Sequence, residues 1–350
     1  MQIDRYHRQS LLPQIGREGQ ARLRRATVLL VGCGALGSMI ADQLVRAGIG
    51  TLRIVDRDIV ELTNLQRQVL FDEADVRNGL PKAVAAAQRL RQINSEVTID
   101  AHVADVHARN IEMLAGCDLD GRPVDLILDG TDNIATRYLL NDVAVKHAVP
   151  WIYGACVGTE GRCMAIVPPD GPCLRCVFPE PPAAAELPTC DTAGVLASAA
   201  AIVASLQVVA ALRVLLREPA GRVEPLVAID VWQGSFRTLN LGDAKRPDCL
   251  TCGQQRFPHL DATDETQMTS LCGRNAVQVR SKSGGSVDLS RIADKLSKSG
   301  RVHRSAYLLR CDLSEPRDLQ LTVFPDGRAI VHGTSELDRA RSIYSRFIGD

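Results

Sequence analysis

The stretch that most constrains this chain is Gly32-Cys33-Gly34-Ala35-Leu36-Gly37, which comes directly after an apolar run at 27–31. That run is short, continuous and built of Val and Leu, so it reads as a buried strand. From 38 to 47 apolar residues recur at helical spacing, and Gly48 closes the helix. A second strand, 52–55, delivers Asp56. Strand, G-x-G-x-x-G turn, helix and strand make a βαβ unit. Gly32 permits the tight turn, Gly34 lets a phosphate approach the backbone, and Gly37 lets helix pack on strand. The free N–H groups of the helix start face that phosphate. Asp56, at the tip of the second strand, is placed to accept from ribose hydroxyls. The fold class this predicts is α/β, a Rossmann-like doubly wound sheet.

The glycines alone fit an NAD or FAD site. The residues beyond Asp56 point elsewhere, because Asp58, Asn64, Arg67 and Gln68 crowd the segment next to the ribose. A dehydrogenase has no use for that set, whereas an enzyme holding the β- and γ-phosphates of a triphosphate does. With its G-x-G-x-L-G turn, D-x-D strand end and T-N-L-x-R-Q run, the segment resembles the ubiquitin-activating-enzyme-like superfamily. Within it, the likeness is to the bacterial adenylyltransferases of thiamine and molybdopterin synthesis. The family turn is G-x-G-G-L-G; here Ala35 stands at its fourth position.

Three further charged residues fit the same reading. Arg8 lies in Arg5-Tyr6-His7-Arg8-Gln9, similar to a family R-Y-x-R-Q segment whose second arginine reaches into the partner subunit's ATP site. Lys82 opens a helix after Gly79-Leu80-Pro81, where a cation opposes the helix dipole unless an anion is also present. Asp132 comes after the apolar strand 124–128 in Asp129-Gly130-Thr131-Asp132-Asn133, and carboxylates at the C-terminal end of a parallel strand face the ligand crevice. The resemblance implies that Asp132 organises Mg2+ at the phosphates; Asp129 shapes the turn.

The chain has eleven cysteines, an odd number, and its N-terminus, MQIDRYHRQS, is no export signal. A disulfide framework is not expected, and a cytoplasmic address is. Two C-x-x-C pairs, Cys173/Cys176 and Cys249/Cys252, predict a four-thiolate structural Zn2+ site with no open coordination position. Cys190 sits in a proline-rich stretch, 178–193, and precedes a helix whose dipole favours thiolate. The family associates a cysteine in this T-C-x-x-A-G-V context with covalent chemistry on the carrier protein. Cys33, Cys117, Cys156 and Cys163 read as core residues.

Lys+Arg and Asp+Glu both number 41, so net charge points to neither nucleic acid nor an anionic membrane as partner. The longest apolar stretch, 193–216, includes Ser198, Ser205, Gln207 and Arg213 and reads as a buried helix. At 350 residues the chain divides into 1–256, the adenylation domain with zinc; 257–269, an acidic linker; and 270–350, a small α+β domain. The last has strands expected at 276–280, 302–311, 319–324 and 329–331 and helices at 289–296 and 336–347. No chemistry is assigned to it beyond protein binding.

The activity implied is ATP-dependent adenylylation of the C-terminal glycine of a ubiquitin-like sulfur-carrier protein ending in Gly-Gly. The enzyme would be a homodimer, with later transfer to Cys190 as a thioester or an acyl disulfide, or with sulfur delivered by a donor protein. Two alternatives stay open at this point: an NAD(P)-dependent oxidoreductase, and a carrier-binding scaffold without turnover.

Overall fold

Strand β1 (Thr27–Val31) lies inside an eight-stranded sheet, and every residue of it but the first is buried. β2 (Thr51–Asp56), β3 (Thr98–Val103), β4 (Leu126–Asp129) and β5 (Trp151–Val157) run parallel with it. β6 (Glu160–Ile166), β7 (Leu226–Asp230) and β8 (Ser235–Leu239) continue the sheet antiparallel, in the order β3-β2-β1-β4-β5-β6-β7-β8. The winding reverses between β1 and β4, which opens a crevice beyond their C-terminal ends. This is a computed structural model, and it describes residues 5–118, 121–181, 190–216, 224–262, 268–271, 275–280, 287–316 and 318–349.

Two cores flank the sheet. On one face Val28, Leu30, Leu52, Ile54 and Leu128 pack under the helices Ala35–Ala47, Lys82–Ile93 and Ala197–Leu216. On the other, Leu29, Val31 and Ile127 pack under Ala108–Leu114 and Ile134–Lys146. The helix Ala197–Leu216 is long and apolar enough to cross a membrane, but it is a core helix lying on β4, β5, β6 and Ala35–Ala47. Strands β7 and β8 escape a reading by pattern. β8 has no buried residue, so it carries no apolar alternation to see.

Glycine at three positions brings the loops after β1 and β4 together. Gly32 has φ +86°. A Cβ on Gly37 would fall on the Gly32 carbonyl oxygen, and one on Gly130 would do the same from the other loop. The turn glycine expected to let helix approach strand therefore does so against bare backbone, and Gly130 is its unforeseen counterpart.

The chain splits into two compact units, Met1–Ala262 and Thr263–Asp350. The second holds an antiparallel sheet of β9 (Met268–Leu271), β10 (Ala276–Val279), β11 (Gly300–Arg304), β12 (Leu309–Leu313), β13 (Gln320–Val323) and β14 (Ala329–His332). Their order is β11-β12-β13-β14-β10-β9. The helices Leu289–Leu296 and Leu337–Phe347 bury Leu289, Ile292, Leu296, Ile343 and Phe347 in a core with Val277, Cys311, Leu321 and Val331. Two expectations are corrected. The run 302–311 is not one strand: Ser305 N–H donates to Leu308 O, reversing the chain between β11 and β12. The linker is shorter than 257–269, because Phe257 and Leu260 join the core of the first unit and Met268 begins β9.

Gly37→Ala is expected to destabilise the first unit by about 1–3 kcal/mol, the range for overpacking a closed contact. Urea unfolding checks this; an alanine variant with wild-type midpoint would show that the helix start does not rest on the Gly32 carbonyl.

Candidate functional site

The crevice is built from the turn after β1, the end of β2 and the turn after β4. Gly34 caps the helix Ala35–Ala47. A Cβ placed on it meets nothing nearer than Gln68 Nε2 at 3.9 Å and Gly130 O at 4.0 Å, so the missing side chain leaves a cradle. Gln68 is 3% exposed and its Oε1 has no hydrogen-bond partner among the described residues. A nucleotide suits that cradle, with phosphate oxygens for amide N–H groups and ribose hydroxyls for an orphaned amide oxygen.

Asp56 closes the floor. Cys33 N–H donates to its Oδ2 at 2.6 Å and Asp58 N–H to its Oδ1 at 2.7 Å. Each oxygen keeps a lone pair, so a ribose hydroxyl can still be accepted. Burial pushes the Asp56 carboxyl up, and the Lys82 charge pulls it back. Lys82 Nζ lies 3.1 Å from Asp58 Oδ2, with its side chain 5% exposed. The sequence points to a phosphate opposite this lysine; the anion the structure places there is Asp58. Asn64 Oδ1 accepts from Glu61 N–H at 3.0 Å and holds the 3-10 turn Leu62–Asn64. Arg67 Nη1 donates to Thr63 O at 3.0 Å, so its guanidinium folds back on that turn.

Arg57 was not singled out by its sequence position. It pairs with Asp105 at 3.2 Å and Asp58 at 3.8 Å. Burial alone would lower its pKa, but Asp105, Asp58 and Asp132 outweigh that and push the guanidinium further up. The one signal for it was its place inside the D-x-D pair.

At the end of β4, Asp129 is fully buried and shapes the turn as expected. Its Oδ1 accepts from Thr131 N–H at 2.9 Å and Thr131 Oγ1–H at 2.7 Å. Its Oδ2 pairs with Arg137 Nε at 2.9 Å, and Arg137 Nη2 donates on to Thr131 O and Gly154 O. Burial pushes the Asp129 carboxyl up, and Arg137 draws it back. Asp132 stands exposed on the turn so fixed, and Asn133 caps the next helix by accepting from Thr136 N–H.

The N-terminal motif splits by face. Tyr6 is buried over Gly48, where a Cβ would strike its ring, and its hydroxyl accepts from Asn94 Nδ2 at 2.8 Å. Gln9 Nε2 donates to Ala47 O at 2.9 Å and Arg5 Nη1 to Ile93 O at 3.1 Å. Arg8 is exposed, with no partner among the described residues.

The two C-x-x-C pairs converge. Sγ separations are 3.9 Å for Cys173–Cys176, 3.6 Å for Cys173–Cys249 and 3.3 Å for Cys176–Cys252, and all four sulfurs lie within 4.8 Å of one another. A tetrahedron of thiolates about 2.3 Å from a metal has edges of about 3.8 Å, so the cluster fits one ion. Arg246 N–H points at Cys176 Sγ from 3.5 Å. A polar network ties the pairs to the helix Ile134–Lys146. Asn141 Oδ1 accepts from Leu174 N–H, Arg175 Nε donates to Thr251 Oγ1, and Thr251 donates to Asp142. Burial pushes the Asp142 carboxyl up to about 6.

Cys190 opens the short helix Cys190–Ala193, but its side chain and residues 182–189 of the proline-rich stretch lie outside the described residues. Cys33, Cys156 and Cys163 are buried and Cys117 half-buried. Burial pushes the Cys33 thiol far up, against any thiolate role for it.

Glycine turn, strand-end acids and cradle define a Rossmann-like nucleotide-binding protein carrying a four-cysteine cluster. Residues 6–251 match the ThiF family, and the chain belongs to it. It is 42% identical over 347 residues to the sulfur carrier protein ThiS adenylyltransferase of Bacillus subtilis, covering 99% of each chain. It is 41% identical over 260 residues to a sulfur carrier protein adenylyltransferase of Thermus thermophilus, covering 73% of this chain and 92% of that one. The fold is also that of E. coli MccB, crystallised with ATP, at TM-score 0.61 and 21% identity, covering 72% of this chain and 75% of that one.

Purified protein is expected to carry one tetrahedrally held divalent ion per chain. Cys249→Ser should lower its melting temperature and release metal to a chelator, because metal binding is coupled to folding. Metal-free protein with an unchanged melting temperature would rule the site out.

Proposed function

We propose that this chain is an adenylyltransferase that activates the C-terminal carboxylate of a sulfur-carrier protein with ATP. The observation that carries it is similarity to a ThiS adenylyltransferase along 99% of both chains, joined to a crevice left open over Gly34. The dehydrogenase alternative falls with family membership, and the retained charged set speaks against a scaffold without turnover.

In the reaction, a carboxylate oxygen of the carrier's last glycine attacks the α-phosphorus. The bond to the bridging oxygen breaks, and pyrophosphate leaves with that electron pair. Gly32, Gly34, Gly37 and the helix amides bind phosphate, and Asp56 holds ribose. Asn64 and Gln68 line the site beside Asp58. Arg67, freed from its turn, and Lys82 offset charge as pyrophosphate departs. Asp132 holds Mg2+, which would neutralise phosphate charge when bound. Catalysis is positioning and electrostatics. The four cysteines take zinc as a structural ion.

Arg8 acts in the site of a second copy. Its neighbours Tyr6 and Gln9 dock the segment on its own chain and leave Arg8 facing outward. A two-fold homodimer then completes each site. Cys190 serves after adenylylation: its thiolate would attack the acyl carbon and release AMP, giving a thioester. The carrier ends in Gly-Gly, and a cytoplasmic setting keeps the thiols reduced. The second unit, within the length shared with the Bacillus relative, is a protein-binding module.

Arg67→Ala, Lys82→Ala and Asp132→Ala are each expected to slow carrier-dependent pyrophosphate exchange by about 10²–10³. Cys190→Ala should keep exchange and lose any enzyme–carrier conjugate that hydroxylamine cleaves, as it cleaves a thioester, read by mass spectrometry. Wild-type exchange in all three charge variants would sink the assignment.

Mixing Arg8→Ala with Asp132→Ala protein is expected to restore activity, since one site of each heterodimer is intact. No rescue after verified subunit exchange would remove Arg8 from the partner's site.

A further inference from the structure

The helix Ala197–Leu216 has Arg213 as its only charge and one amide, Gln207, that is 0% exposed. Gln207 Nε2 donates to Asp129 O at 2.8 Å and approaches Ile152 O at 3.5 Å, while Oε1 has no partner among the described residues. Position 154 is glycine, and a Cβ there would land on the Gln207 amide. Packing alone does not ask for this residue. A half-satisfied buried amide is less stable than an apolar side chain of the same shape. A Met of similar volume would fill the space among alanines and valines without an orphaned oxygen.

What the amide does is finish a hydrogen-bond ladder. The β4–β5 register stops at Leu128 opposite Ile152. The next carbonyl on that side, Asp129 O, would be left open, and Gln207 takes it. The same Asp129 holds Thr131 through one carboxylate oxygen and Arg137 through the other. Backbone and side chain of one residue are thus both pinned immediately before the exposed Asp132. We propose that Gln207 is a positioning residue, fixing the turn 130–133 so that Asp132 meets the crevice in one orientation. The proposal rests on reading Asp132 as the residue that holds Mg2+ at the phosphates. Gln207 touches neither nucleotide nor metal; it acts through Asp129.

The test is Gln207→Met, with Asp132→Ala beside it, in carrier-dependent pyrophosphate exchange at varied Mg2+ and in thermal melting. Gln207→Met is expected to melt at or above wild type and to lose about tenfold to a hundredfold in kcat, the scale of a small misplacement. The Mg2+ needed for half-maximal rate should rise. Wild-type kcat and Mg2+ dependence in Gln207→Met, with Asp132→Ala inactive, would overturn the proposal while leaving the activity assignment standing. A Gln207→Met protein melting well below wild type would make the glutamine a packing residue and overturn it too. Wild-type exchange by Asp132→Ala would remove the reading of Asp132 itself, and this proposal with it.

Discussion

The crevice depends on one contact between backbones. Gly37 approaches the Gly32 carbonyl from the helix, and Gly130 approaches it from the turn after β4. No side chain can stand between those loops, so the helix start is held directly over the point where the sheet winding reverses. The Cys33 N–H bond to Asp56 then fixes the end of β2 to the same turn. Three strand ends are set by a few backbone contacts, and the unfilled space above Gly34 is what remains. That space lies at the start of the helix Ala35–Ala47, beside the Gln68 amide.

Charge is arranged around that space before any nucleotide enters. Asp56, Asp58, Asp105 and Asp132 face Lys82 and Arg57. Lys82 sits at a helix start, where the dipole disfavours it, and only a nearby carboxylate makes the site tolerable. Asp58 meets that need at 3.1 Å. Such pairs keep buried charges in place, at a desolvation cost that a close partner offsets.

The helix Ile134–Lys146 joins the two chemical features of the first unit. Its first turn carries Arg137, locked to Asp129, and begins at the cap Asn133. Its last turns carry Asn141 and Asp142, bonded to the segments that hold the cysteines. An ion held by the four thiolates would brace this helix at one end, while the ion pair at the other holds the turn bearing Asp132. Both ends use buried hydrogen bonds, which define geometry more sharply than apolar packing does.

Much of this was legible in the residues alone. The βαβ unit, the phosphate turn, Asp56 and the paired C-x-x-C motifs are local patterns, because strand, turn and helix periods and metal-ligand spacing are written over short stretches. The cysteine pairs could even be matched across 76 positions, since a four-thiolate ion needs both. Tertiary structure alone decided the rest. Gly130 matters only because another loop lies against it. Lys82 finds Asp58, Arg57 finds Asp105, and Gln207 finds Asp129, all through folds of the chain that no period encodes. β8 was invisible because an edge strand without a buried face leaves no alternation. Sequence by itself determined which elements form and what chemistry their ends can carry. Which side chains meet across those ends is set by long-range packing, where each contact depends on every loop that brings it into place.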